Sequence, residues 1–474
     1  MNKPNPVILI EFNELCPALL DKWIAEGALP NFAEFRAKSA TFLTESDEQK
    51  PPYLEPWIQW YSMHTGIPFS EHKVFHLTDG AKAQHTDIWG QLLANGFRVW
   101  NCGSMNAKPF TADGSAYMPD PWGNSDTCSP RKLSNFHSLI ANYVQEYSRP
   151  DAKVDFGLFW RFATYMLGNG LSLGTVTAGV KQILSEKMSH HNISWKRVAI
   201  QDALQMDVFE SQFNKMSPDF STFFVNSTAH LQHSYWRCME PNKFSVQPSQ
   251  AELDNFGEAI KFGYQQMDKL LARFFQIEQR TGARLILTTA LSQQPYLRKE
   301  AMGGQHFYRP HSIERLLGSL KIACPSVEAV MTHQYMLRFE SDAEAKAAQA
   351  TLESLKLSNG LSVFSFEHAE SNAVFFGCQI GTKMEGVEAV SVAKEINVSP
   401  LKFEDIFYQV PGLKSGSHHP DGVLWIKNGK NSGTKIQESP RVSLLDVYPT
   451  VLSLFGVGAT KANDAGRPGK NILV

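Results

Sequence analysis

Two histidines three residues apart, His230 and His233 in the run Asn226-Ser-Thr-Ala-His-Leu-Gln-His-Ser-Tyr-Trp236, could do chemistry by type and spacing. On a helix that spacing puts both imidazoles on one face. They follow an apolar run at 221–225 that reads as a buried strand. Two imidazoles at the carboxyl end of a strand, where open α/β sheets bind ligands, are suited to hold a metal ion. Other polar and ionisable groups fall in comparable places. Glu11, Asn13 and Glu14 end the first apolar run, at 7–12. Glu55 precedes Pro56 at the start of a helical segment closed by Gly66, and His418 and His419 lie in Gly416-Ser-His-His-Pro-Asp-Gly422. Each also has a plain structural reading: Asn13, Glu14 and Glu55 can cap the helices that follow them, and a lone histidine more often packs than ligates.

The elements that must position these groups follow from the patterning. The chain has 474 residues, too many for one small domain and enough for a large sheet with inserts. Its 43% apolar and 19% charged content predicts a packed core. A net charge of -2 gives no reason to expect nucleic acid or an anionic membrane as partner. The six cysteines contain no CxxC pair, so reduced thiols in a cytoplasmic protein are expected. The first apolar run is too short for a secretory leader, and no apolar stretch is long enough to span a bilayer.

Strands are predicted at 7–12, 97–100, 221–225, 284–289 and 423–426. Helices are predicted after the first strand, with Leu19, Leu20, Trp23 and Ile24 on the apolar face, and over 250–281. Gly, Pro, Ser and Asp between 109 and about 150 read as loops, and 303–310 as a loop carrying Arg309. Residues 151–216 read as mostly helical, with a Gly-rich break at 168–174. Residues 109–216 are therefore a mainly helical insert, either a cap over a cleft or added core. A strand at 330–339, a helix at 342–357 and strands at 361–366 and 373–380 make 325–409 a small α+β insert. The α/β core is then 1–108, 217–324 and 410–474.

In this order, several segments resemble the alkaline phosphatase superfamily, especially its type I phosphodiesterase/nucleotide pyrophosphatase branch. They are Val7-Ile-Leu-Ile10 with Gly27-Ala-Leu-Pro-Asn-Phe32, Trp60-Tyr-Ser-Met-His-Thr-Gly66 with His72, 229–236, the strand at Leu285, 416–422, and Asp446-Val-Tyr-Pro-Thr450 with Gly466-Arg-Pro468. The resemblance implies a mostly parallel central sheet flanked by helices. It also implies two metal ions, usually zinc, and a Thr or Ser nucleophile, because metals stabilise the attacking and leaving oxygens of a phosphoryl transfer.

The site implied by the resemblance is incomplete in this chain. The first-strand Asp falls on Asn13, and the nucleophile falls at or beside Pro56, next to Glu55. The Asp four residues before the metal histidine falls on Ala229, and that histidine is His233. The Asp-His pair after the next strand falls on Ala290 and Leu291, and the last histidine falls on His418. Two ligand positions of one metal remain, so at most one divalent ion is expected, zinc first, and a standard two-metal phosphatase is not. His233 and His418 would hold it, helped by His230 or a carboxylate. Glu55, Asn13 and Glu11 are the catalytic candidates, with Glu55 as base or nucleophile. Arg309, Arg237 and His419 are the candidates for binding an anionic group.

Two functions stay open. One is a divergent hydrolase or transferase acting on a phosphate or sulfate ester, for instance of a sugar or nucleotide. The other is a catalytically inactive relative that keeps the fold to bind a ligand or partner. The expected partner is a small anionic molecule, with no nucleic acid and no membrane insertion; the sequence gives no oligomeric state.

Overall fold

The computed structural model describes residues 5–145, 155–330, 333–367, 369, 371–384, 389–391, 401–427, 436–458 and 468–473. Its centre is the strand β1, Val7–Phe12, with all six residues buried. A strand covered on both faces needs apolar residues in succession rather than in alternation. Ile8, Ile10 and Phe12 enter one core layer with Trp23, Phe32 and Tyr264. Val7 and Leu9 enter the other with Trp60, Trp89 and Tyr448.

The main sheet also contains β2 (Ser39–Glu45), β3 (Val99–Cys102), β4 (Ala116–Met118), β5 (Phe220–Val225) and β6 (Arg284–Thr288). Across the sheet the order is Arg441–Ser443, β2, Asp421–Lys427, β6, β1, β5, β3, β4. The run β6-β1-β5-β3-β4 is parallel throughout. Only Asp421–Lys427 is antiparallel, to β2 and to β6. The architecture is thus an α/β fold with a mostly parallel central sheet flanked by helices.

Parallel β1, β5 and β6 open at the same edge, so residues 13–14, 226 and 290–291 emerge side by side. A separate antiparallel pair, Ser292–Pro295 with Gly416–His419, carries His418 opposite Gln293. This pair closes tightly: a Cβ on Gly416 would lie 2.2 Å from Gln293 Oε1 and 2.6 Å from the Gln232 carbonyl oxygen. Only glycine fits there.

The 109–150 region is not all loop. Ala116–Met118 joins the main sheet as its edge strand, and Ser134–Gln145 is a helix. Phe136, Ile140 and Val144 stand at four-residue spacing, a helical signal masked by the surrounding Gly, Pro and Ser. The rest of that reading, 146–150, lies outside the described residues, as does 151–154 of the helical insert. Beyond it come the helices Phe156–Gly168, Leu173–Met188 and Val198–Met216. The predicted helix at 250–281 is two, Gln250–Phe256 and Ala259–Thr281, broken at Gly257.

Residues 326–378 include an antiparallel four-stranded sheet, Phe364–Glu367, Ala373–Cys378, Gln334–Arg338 and Ser326–Ala329 in that order. The single strand expected at 330–339 is Gln334–Arg338, paired antiparallel with Ser326–Ala329, and no Gly, Pro or Asn in the sequence between them announces the change of direction. Tyr308–Pro310, within the segment expected to be loop, pairs with Phe407–Gln409. No described helix is long and apolar enough to cross a membrane.

Candidate functional site

Glu14 is the hub of the sheet edge. It follows β1 in the left-handed region, at φ 62°, and is buried. Its conformation is pinned from outside: Gln232 Nε2 donates to its carbonyl oxygen at 2.8 Å. Gln232 is itself held by the Tyr264 hydroxyl, which also accepts from the Cys16 N–H. Neither Asn13 nor Glu14 caps the next helix; the N-cap is Cys16, with no side-chain cap bond.

The carboxylate of Glu14 meets two imidazoles. His233 Nε2 stands 3.2 Å from Glu14 Oε2, and His418 Nε2 stands 3.8 Å from the same oxygen. Among the described residues, Glu14, His233 and His418 form the one group of three or more such side chains whose ligand atoms lie within 4.8 Å of one another. The ring orientations matter more than the distances. His233 Nδ1 is 3.1 Å from the Gly416 carbonyl and His418 Nδ1 is 2.9 Å from the Leu54 carbonyl. A carbonyl oxygen only accepts, so each Nδ1 carries the proton. With Nδ1 engaged in this way, each ring presents Nε2 toward Glu14.

The Glu14 carboxylate oxygen and the two Nε2 atoms thus converge on one point, within 4.8 Å of one another. Atoms bound to one zinc at about 2.0–2.2 Å in a tetrahedron stand roughly 3.3 Å apart, close to the separations found here. The supporting contacts are those a metal site uses: backbone carbonyls fix both imidazoles, while Gln293 and Asn13 donate to the two Glu14 oxygens. The residues therefore fit a single divalent ion. His233 keeps 31% of its side chain exposed and Glu14 only 2%, so a ligand reaches the group from the His233 side.

Protonation suits the same role. Burial alone would raise the Glu14 carboxyl, but the His418 and His233 rings and the hydrogen bonds from His233 and Gln293 hold it down at about 2. Burial pushes His418 down to about 4, against the pull of Glu14, so its ring is neutral at pH 7. An anionic carboxylate and a neutral imidazole are the forms that bind metal.

Glu55 is at the N-cap position of the helix Pro56–Thr65 but makes no side-chain cap bond. Its Oε2 lies 3.3 Å from His418 Nδ1 instead. Burial raises its carboxyl above the ordinary range; Lys414 opposes that, while Glu14 and Glu367 add to it. Lys414, half-buried, carries its ammonium 5.0 Å above the Tyr296 ring. Burial lowers it, with Glu55 opposing. Lys414 was missed in the sequence because it lies just ahead of the Gly416 motif. Glu14 was seen there, but a carboxylate before a helix reads equally as a cap.

The other candidates are distributed differently. Asn13 accepts from the Trp60 indole N–H at 2.8 Å and donates to Asn226 at 2.7 Å and Glu14 at 2.9 Å. Ala290 and Leu291 beside it are fully buried and offer no ligand atom. Glu11 is fully buried with one oxygen 2.8 Å from His64 Nε2 and is outside the Glu14 group. His230, one turn before His233, is also outside that group, and burial holds it down at about 4. His419 alternates away from His418 along its strand, and its Nδ1 accepts from the Asp421 N–H. Arg237 is buried and committed to Glu252 at 2.6 Å and to the Val246 carbonyl. Arg309 is buried, with Nε donating to the Tyr335 hydroxyl at 3.1 Å and the guanidinium 5.2 Å over that ring.

No protein-family model matches the chain, and no curated protein matches it. Among solved structures, it aligns with phosphonoacetate hydrolase from Sinorhizobium meliloti in complex with phosphonoformate, at 14% identity over 96% of both chains with a TM-score of 0.44. It also aligns with wild-type alkaline phosphatase PafA, at 13% identity over 100% of this chain and 99% of that one, with a TM-score of 0.43.

Proposed function

We propose that this chain is a hydrolase or transferase of phosphate or sulfate esters that works with one divalent ion, zinc first, held by Glu14, His233 and His418. The observation that carries the reading is the orientation of the two imidazoles. Backbone carbonyls take both Nδ1 protons and leave both Nε2 atoms aimed at a carboxylate. An ion in that place would polarise an ester oxygen and offset its negative charge.

The protein groups around it have separable tasks. Lys414 meets the anionic part of a substrate. Glu55, raised by burial and by Glu14 and Glu367, is protonated near neutral pH and gives its proton to the departing oxygen. That role replaces the base or nucleophile expected from sequence. Asn13 positions Glu14. The substrate is a small anionic ester.

Turnover is tested by offering aryl phosphates, phosphonates, phosphodiesters and aryl sulfates to protein loaded with zinc and to metal-free protein. Zinc-dependent release from one class, lost in Glu14→Gln, is the expected result. In Glu55→Gln, turnover falls by about a hundredfold with poor leaving groups and far less with nitrophenol. Stoichiometric zinc with no turnover of any class would instead favour the binding-only relative, and absence of zinc binding would remove the centre.

A further inference from the structure

The helix Leu173–Met188 is polar where it meets the protein and apolar where it meets solvent. Of the 16 exposed large apolar side chains among the described residues, ten fall within 156–188. Phe156 is 75% exposed, Trp160 64%, Leu173 83% and Met188 81%. Soluble surfaces rarely gather apolar area in this way without a partner.

The helix Leu173–Met188 shows the inversion most clearly. Leu173, Val176, Val180, Ile183, Leu184 and Met188 recur at helical spacing and are all exposed. The opposite stripe, Thr175, Gly179, Gln182 and Glu186, is buried or half-buried. Its polar groups are used: Gln182 donates to the Ile193 carbonyl at 2.9 Å, and Glu186 pairs with Arg197. An ordinary surface helix turns the other way round. Burial of the apolar stripe therefore has to come from outside the described fold.

Charge identifies what covers it. Residues 156–198 contain five Lys or Arg and one Glu, in a chain whose net charge is -2. Lys181 and Lys187 are exposed beside the apolar stripe. A second copy packed symmetrically on this face would oppose like charges. An anionic bilayer offers both missing parts: acyl chains for the stripe and phosphate for the lysines, with Trp160 and Phe156 suited to the interface.

We propose that the helices Phe156–Gly168 and Leu173–Met188 seat this protein on an anionic lipid surface, lying in the interface without crossing it. The overall charge hides this because the basic excess is local.

The test is flotation of the full chain with vesicles of phosphatidylcholine alone or mixed with phosphatidylglycerol, at low and high salt. Expected is binding to the anionic vesicles, weakened by salt. Ile183→Glu with Leu184→Glu abolishes it. Lys181→Glu and Lys187→Glu, both at exposed positions, each weaken it by at least on the order of fivefold. Failure of the wild-type chain to float with anionic vesicles overturns the proposal. So does a concentration-dependent dimer, measured by sedimentation, that the Ile183→Glu, Leu184→Glu variant breaks while vesicles leave the wild type in solution. Binding that the two lysine reversals leave unchanged overturns the charge argument and the proposal with it.

Discussion

The two sides of the turn after β1 are built on opposite principles. On one side the Glu14 carboxylate and the Nε2 atoms of His233 and His418 converge on a common point, and His233 stays partly open. On the other, Trp60, Asn13 and Asn226 match donor to acceptor, backed by buried Ala290 and Leu291. Both sides are rich in polar atoms. The difference lies in pairing: where every donor finds an acceptor, nothing remains for a cation. Where a carboxylate meets two ring nitrogens, a cation has ligands to hold it.

The largest effect expected of this contrast is on metal binding. One zinc per chain should be retained after dialysis, and Glu14→Gln or the double variant His233→Ala, His418→Ala should retain none, by elemental analysis. Gln293→Leu, which removes a donor from Glu14, should weaken zinc affinity by about 10–100-fold. Two ions per wild-type chain would erase the contrast.

Next in size is an attempt to reverse the sealed side. Asn13→Asp deletes the donor to Asn226 and Glu14 and sets a second carboxylate beside Glu14. Urea unfolding should show a loss on the order of 3 kcal/mol, with zinc still at one per chain. A gain of a second ion would show that the sealed side had only lacked a charge.

Acid should act on the open side. His418 binds its proton at about 4 when folded, against 6.5 for the ordinary ring. Between these values the unfolded chain holds a proton that the folded chain lacks. Stability of the metal-free protein is therefore full above about 6.5 and falls as pH drops toward 4, by up to ~1.4 kcal/mol per pH unit for this group. His72, His137, His230 and His333 are likewise lowered by burial and add to the slope. Glu14, depressed, contributes stability above 4.5 that disappears as pH falls through about 2. His418→Gln should flatten the upper part of the unfolding-versus-pH curve, and an unchanged slope would mean that His418 is not buried as a neutral ring.

The smallest effect is expected from His419→Ala. That ring is on the other face of the same strand, so zinc content should be unchanged and stability should move by no more than about 0.5 kcal/mol.

Much of the architecture was legible in the sequence, because a strand buried on both faces announces itself by consecutive apolar residues, as in β1 and β5. The antiparallel pairing of Ser326–Ala329 with Gln334–Arg338 was not, since the sequence between them lacks Gly, Pro and Asn. At the site, His233 and His418 were legible through motif position and Glu14 only as a neighbour. Its function depends on a left-handed backbone and on Gln232, Gln293 and Tyr264, all more than 200 residues away. Spacing along a chain does not encode such contacts. The inverted helix 173–188 is apolar on one face in the sequence too, but only the fold reveals which face is inside.

Gly416, with no room for a side chain, bears on folding order. It brings His418 down beside Gln293 and against the helix of His233, where His418 meets Glu14 at the end of β1. The centre therefore closes a loop of almost the entire polypeptide, the contact that costs most entropy. Such a site is completed only when everything between is in place. An ion bound there is a clasp on the whole fold, and its occupancy reports whether folding has finished.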